Sequence, residues 1–101
     1  MTWDAKDPNE VLDYDLDWSS RLDEGDAIDT STWFIASAVL PDGSAEAPPT
    51  LTIRDFSVTG AVTKVWTEAG ALGATYQLTN RIVTEDGRTF DWTQKLKIKS
   101  R

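Results

Sequence analysis

Apolar and acidic residues alternate without interruption from Leu12 to Trp18, in the segment LDYDLDW. Leu12, Tyr14, Leu16 and Trp18 fall on one face, and three aspartates occupy the positions between them. A period of two directs alternate side chains to opposite faces of a β-strand, so the segment is predicted to be a half-buried strand with one acidic face. No segment of ten residues or more has the 3.6-residue apolar period of a helix. The chain is therefore predicted to be all-β.

The C-terminal part of the chain carries the pattern of a β-hairpin. Alternate residues from Tyr76 to Thr84 share one face, and the residues between them share the other. Asp86-Gly87 predicts a two-residue hairpin turn. After the turn, the apolar residues between Phe90 and Ile98 alternate with polar ones.

Three further segments have the composition of strands, which are rich in β-branched and aromatic residues. Residues 26–38 form the first, and their alternation slips near Asp29–Ser31, which predicts a β-bulge. Leu51 to Val58 form the second, and residues 61–68 form the third, after a turn at Gly60. The prolines of residues 41–49 predict a loop between the first two.

Six or seven short antiparallel strands predict a β-sandwich of immunoglobulin-like or fibronectin III-like type. We assign residues 1–10 to an extended N-terminal arm and residues 11–101 to a single sandwich domain. Tyr76 is expected to be a corner tyrosine that is hydrogen-bonded to nearby backbone. The predicted core consists of Leu12, Tyr14, Leu16, Trp18, Trp33, Trp66, Tyr76, Leu78, Ile82, Trp92, Leu96 and Ile98.

Composition excludes several classes of function. The 101 residues include no Cys and no His, which excludes disulfides, thiolate nucleophiles and a Ser–His–Asp triad. A net charge of −7 argues against nucleic acid as a partner. No apolar run is long enough for a membrane span, and no signal peptide opens the chain, so synthesis in the cytoplasm is expected. We expect no enzymatic activity, no catalytic residue, no metal and no cofactor.

Charge is distributed unevenly along the chain. Residues 1–30 carry a net charge of −8, whereas residues 31–101 carry +1. Identical subunits could therefore dock the basic C-terminal end of one copy against the acidic first strand of the next, and close a ring. An edge strand protected from aggregation by lysines is the alternative explanation of the basic end. The predicted interface residues are Trp3, Lys6, Asp7, Asp13, Asp15, Asp17, Lys95, Lys97, Lys99 and Arg101.

Several features allow more than one interpretation. Trp3, in the polar arm, could insert into a partner as an anchor or fold back onto its own sandwich. Arg81 and Arg88 are expected to pair with nearby carboxylates of the hairpin. The acidic strand and the loop Asp23–Asp26 could bind calcium, but neither has the spacing of known calcium loops. Two carboxylates could serve a glycosidase, but the chain offers little surface for a cleft.

Three segments of the sequence resemble a family of small tailed-bacteriophage proteins. They are KDPNEVLDYDLDW, the stretch from Leu22 to Trp33, and TYQLTNRIVTEDGRTFDWTQKLKIKSR. The family, described as fiber–tail adaptor or minor tail proteins, implies an immunoglobulin-like module of the phage tail or tail tip. It implies binding to other tail proteins and a place in the virion, with no enzymatic activity. A small carbohydrate-binding sandwich and a capsid decoration protein are the alternatives.

Overall fold

A computed structural model describes residues 3–100. The chain forms six strands: β1 (Leu12–Asp17), β2 (Ile28–Val39), β3 (Thr52–Thr59), β4 (Val62–Glu68), β5 (Thr75–Thr84) and β6 (Thr89–Lys97). They make two antiparallel sheets of three strands, in the orders β1-β4-β3 and β2-β5-β6. The prediction of an all-β antiparallel sandwich is confirmed. Residues 3–100 contain no helix that could cross a membrane.

The register of the strands explains which face of each sheet is buried. In the first sheet, Tyr14 lies opposite Val65, and both side chains are buried. In the second sheet, Tyr76 lies opposite Leu96, and both are fully buried. The two sheets pack through these faces. Most of the predicted core is confirmed, although Leu12 and Trp92 are only partly buried around it.

The β2 bulge and the β5–β6 hairpin were both predicted from the sequence. The register of β2 shifts between Ile28 and Thr30, which confirms the predicted bulge. The hairpin between β5 and β6 has a three-residue loop instead of the predicted two, because the Thr84 amide donates to the Arg88 carbonyl. Gly87, with φ of 88°, takes the left-handed conformation that such a loop requires in its last position.

Trp66 was predicted to be a core residue, but 38% of its surface is exposed.

A buried polar network joins the two sheets. The indole N–H of Trp18, just after β1, donates to the Asn80 Oδ1 of β5 at 2.9 Å, and the Thr63 hydroxyl donates to the same oxygen at 2.7 Å. The Asn80 amide nitrogen donates to Ser31 Oγ and to the Thr32 carbonyl. Every hydrogen-bonding position of this fully buried amide is therefore used, which offsets its loss of water.

Tyr76 anchors the loop between β2 and β3. Its hydroxyl accepts a hydrogen bond from the Ala71 amide, as predicted for a corner tyrosine, and donates to Glu46 Oε1 at 2.5 Å. The Thr50 amide donates to the same carboxylate. The Tyr76 hydroxyl, followed by the Thr50 amide, lowers the pKa of Glu46 below its ordinary value of 4.5, and burial raises the pKa of Tyr76.

The variant Tyr76→Phe is expected to be about 1–3 kcal/mol less stable at pH 7, because it lacks the hydroxyl that donates a hydrogen bond to the Glu46 carboxylate. The folded pKa of Glu46 is depressed, so this stabilisation is present above pH 4.5 and lost as the pH falls through the folded pKa. Urea unfolding of both proteins at pH 7 and pH 3 should show a smaller difference at pH 3. An equal difference at the two pH values would contradict this assignment.

Candidate interaction surfaces

The three aspartates of β1 form an acidic ladder on the outer face of the first sheet. Asp13, Asp15 and Asp17 are exposed, because they alternate with the buried residues of the same strand. Asp13 pairs with Lys64 of β4 at 3.2 Å, and both side chains are well exposed to solvent. Asp17 accepts a hydrogen bond from the Ser19 amide, which lowers the pKa of Asp17. β1 is an edge strand, so the ladder is open on one side.

A basic ladder lies on the outer face of the second sheet. Lys95 and Lys97 of β6 are exposed and flank the buried Leu96, and the exposed Lys99 follows the strand. Within residues 3–100, none of these three ammonium groups forms an ion pair. The fourth predicted member, Arg101, lies outside the described residues. β6 is also an edge strand.

The two ladders lie on opposite outer faces of the sandwich, since the inner face of each sheet is the buried one. A contact between an acidic ladder and a basic ladder of two copies would therefore use two different surfaces of the chain. Such a contact is heterologous, and it generates a ring or a filament according to the rotation between copies.

The arm does not extend from the sandwich as an exposed segment. Trp3 is only 8% exposed, which agrees with the fold-back alternative. Its ring stacks on Tyr14, with ring centroids 4.6 Å apart, and lies 5.9 Å from Trp33 of the opposite sheet. Trp3 therefore closes a gap in the core that the six strands leave open, as in the fold-back alternative.

Lys6 is fully buried, contrary to its selection as a surface residue. Its backbone pairs with the end of β6: the Lys6 amide donates to the Lys97 carbonyl, and the Lys99 amide donates to the Lys6 carbonyl. Its ammonium donates to the Ala69 and Asp7 carbonyl oxygens at 2.6 and 2.9 Å. Burial lowers the pKa of Lys6, and the nearby Glu10, Asp7 and Glu68 carboxylates oppose the shift.

Asp7 is half-buried and closes a turn of the arm. Its carboxylate accepts a hydrogen bond from the Asn9 amide, and its carbonyl accepts one from the Glu10 amide. Among the predicted interface residues, the structure thus separates two exposed ladders from three arm residues that pack against the sandwich. The interface role of all of them stays a prediction.

Trp66 marks a surface that the sequence interpretation missed. It lies on the outer face of β4, opposite Asp13 of β1 and Asp55 of β3. Together with Arg54 and Asp55, it lines a groove of about 290 Å³. The signal was present in the sequence, because Trp66 alternates in step with Lys64 and Glu68 on a strand whose other face carries Val65.

The loop Asp23–Asp26, considered for calcium, is occupied by an arginine of the hairpin. Arg88 lies 3.1 Å from Asp23 and 3.4 Å from Asp26, and it also pairs with Asp86. The covered Asp26 carboxylate accepts hydrogen bonds from the Ala27 and Asp86 amides. Burial opposes ionisation of Asp26, but a hydrogen bond from the Thr84 side chain, the two amide bonds and the Arg88 charge outweigh it and lower the pKa of Asp26. No group of three or more potential metal ligands occurs within residues 3–100.

The hairpin arginines pair locally, as predicted. Arg81 makes two hydrogen bonds to Asp91, at 2.8 and 3.0 Å, and its guanidinium lies 5.2 Å from the centre of the Phe34 ring. The hydrogen bonds raise the pKa of Arg81 and lower that of Asp91. Neither arginine is thus an unpaired charge at the surface.

Comparison with known protein families gives a match over most of the chain. The family model described as "Podophage GP4 fiber-tail adaptor protein gp77" matches residues 6–97. The chain belongs to this family. No curated protein matches the chain.

The match covers most of the parts of this fiber-tail adaptor family member that the geometry singles out, while Trp3 and Lys99 lie outside it. It begins at the buried Lys6 and ends at Lys97, the residue to which the Lys6 amide is bonded. It includes all six strands and the whole acidic ladder. The resemblance found in the sequence is thereby confirmed, and the family is one of structural proteins of the phage tail.

Proposed function

We propose that this chain is a non-enzymatic structural protein of the virion tail, which joins tail components such as fibers through protein–protein contacts. The family description supports this role. The observation that carries it is the pair of oppositely charged ladders on opposite faces of one sandwich, since such a subunit offers two different docking surfaces. Synthesis in the cytoplasm of the bacterial host precedes assembly.

We also propose that copies of the chain form a ring in the particle. The acidic ladder of one copy docks on the basic ladder of the next, which leaves the remaining surfaces free for other tail proteins. The exposed row of Lys95, Lys97 and Lys99 supports this arrangement, because these ammonium groups form no ion pair within residues 3–100 and an opposing row of carboxylates would pair with them.

Electron microscopy of assembled particles tests the location and the ring. We expect density for the sandwich between the tail and the fibers, with neighbouring copies related by rotation. Particles made without the chain should lack fibers, and supplying the chain should restore them. Particles that keep their fibers without the chain would contradict the adaptor function.

Salt provides a direct test of the electrostatic contact. Raising the salt concentration to about 1 M shortens the Debye length to about 3 Å and screens exposed charges. Light scattering of the purified chain should then show slower association and smaller assemblies than at low salt. Association that is equally fast and extensive at both salt concentrations would contradict the contact between the ladders.

A carbohydrate-binding role is the second candidate, and the exposed Trp66 favours it. An exposed indole on a flat sheet, beside the Arg54 and Asp55 side chains, could stack a sugar ring and hydrogen-bond its hydroxyls. Titration of tryptophan fluorescence with cell-wall glycans tests this role. Saturable quenching that is lost in Trp66→Ala would favour a lectin, whereas unchanged emission would favour the assembly role, with Trp66 as a protein contact.

A further inference from the structure

The arm is seated in its own sandwich by a small number of contacts. Trp3 fills the gap between Tyr14 and Trp33, and the Tyr14 hydroxyl donates to the Asp4 carbonyl at 2.9 Å. Lys6 forms a single parallel bridge with Ile98, at the end of β6. We call this gap, together with the end of β6, the arm seat.

The arm seat leaves polar groups poorly satisfied. The indole N–H groups of both Trp3 and Trp33 are buried without a hydrogen-bond partner within residues 3–100. The Lys6 ammonium is covered as well, and it forms no ion pair there; its hydrogen-bond acceptors are carbonyl oxygens. Buried donors without acceptors are unfavourable, and the burial of the Lys6 ammonium is only partly offset by the nearby Glu10, Asp7 and Glu68 carboxylates. Docking of the chain's own arm in the seat therefore buries apolar surface but leaves two indole N–H groups without acceptors.

A local turn holds the arm in this position. The Asp7 amide donates to Glu10 Oε1, and the Glu10 amide donates to the Asp7 carbonyl. These bonds lie within residues 7–10, so the turn can open without breaking a strand pairing of the sandwich. Residues 3–11 would then span about 30 Å when extended. That length exceeds the two shorter dimensions of the molecule, 23 and 21 Å.

The seat adjoins the surface that we propose for assembly. The carbonyl of Lys97 and the amide of Lys99 bind the Lys6 backbone, while the side chains of both lysines belong to the basic ladder. The arm itself is acidic, with Asp4, Asp7 and Glu10 against Lys6. An acidic arm that approaches from a neighbouring copy therefore meets a surface of opposite charge.

We propose that, in the assembled particle, the arm of each copy leaves its own seat and docks in the identical seat of a neighbouring copy. The same residues make the same contacts after exchange, so the exchange loses few of them. An arm that arrives from outside is released from the turn at residues 7–10, and its other contacts are those of the self-docked arm. This inference rests on the proposed ring, and it explains how the ring is locked after electrostatic docking.

Engineered disulfides distinguish exchange from self-docking, since the chain has no cysteine of its own. Lys6→Cys with Ile98→Cys places two thiols on directly paired residues of the parallel bridge, and paired strands, about 5 Å apart, are close enough for a disulfide. Both of these residues are buried, so a second pair, Ala5→Cys with Lys97→Cys, places thiols one position earlier at more exposed sites. Oxidation is followed by non-reducing electrophoresis, before and after assembly into particles.

We expect the dilute chain to run as a monomer. In assembled particles, more than half of the chains should run in bands at multiples of 11.2 kDa. Particles whose chains run as monomers, with the thiols either joined within one chain or free, would overturn the exchange. A cross-linked band at any other mass would place the arm on a different tail protein and would also overturn it.

The outcome is separable from the test of the proposed function. If microscopy shows rings but their chains give only monomer bands, arm exchange is contradicted and the proposed ring is not. Particles in which copies of the chain are never adjacent would contradict both the ring and the arm exchange. The single-cysteine variants Lys97→Cys and Ala5→Cys serve as controls, and neither should give multiples beyond a dimer.

Discussion

Replacing Asn80 with alanine is expected to lower the free energy of unfolding by about 3–5 kcal/mol. The substitution removes both acceptor bonds and both donor bonds of the side chain at once. It leaves the Trp18 N–H with only the Thr63 hydroxyl, at 3.3 Å, and it leaves the Thr32 carbonyl without this partner. Each buried group that loses its partner costs about 1–3 kcal/mol.

Chemical denaturation followed by tryptophan fluorescence measures this effect, and Gln77→Ala is the matched control. Gln77 lies on the same strand but points outward, so its loss should change stability by less than about 0.5 kcal/mol. Circular dichroism confirms that both variants keep their strands. If Asn80→Ala lost less than about 1 kcal/mol, the network would not be a major connection between the sheets.

The alternation of side chains predicted the strands well, because burial of one face dictates it. β1 and the β5–β6 hairpin follow a strict period of two, and the structure places their apolar faces inward. The bulge in β2 was predicted because the same period slips there. Asn80 was assigned to the apolar face of β5, although its partners were not predicted. They come from three separate segments, and a pattern within one segment does not indicate them.

Trp66 was wrongly assigned to the core, and the sequence left two alternatives open for Trp3. Trp66 was assigned to the core by its size, although its neighbours Lys64 and Glu68 on the same face indicated the surface. The polar composition of residues 1–10 predicted an extended arm. Trp3 and Lys6 nevertheless pack inward, because Trp3 fills the gap between Tyr14 and Trp33 and Lys6 pairs with the end of β6, which are contacts between distant parts of the sequence. Such a contact depends on the sandwich already being formed.

Reversing the basic ladder, with Lys95, Lys97 and Lys99 changed to Glu, is expected to slow assembly by about 10–1,000-fold at low salt. The three side chains are exposed, and none forms an ion pair within the described part of the chain, so the fold should be retained. Approaching copies would instead present carboxylates to the acidic ladder. Light scattering of the purified chain gives the rate, and circular dichroism checks the fold.

A charge swap separates a specific contact from an effect of net charge. A chain with the reversed basic ladder and with Asp13, Asp15 and Asp17 changed to Lys returns to a net charge of −7. Its two ladders are complementary again with opposite polarity, so it should assemble with itself at close to the original rate. It should assemble poorly with the unmodified chain, because each mixed contact then pairs like charges. If the doubly changed chain assembled no better than the chain with only the lysines reversed, the two ladders would not be partners.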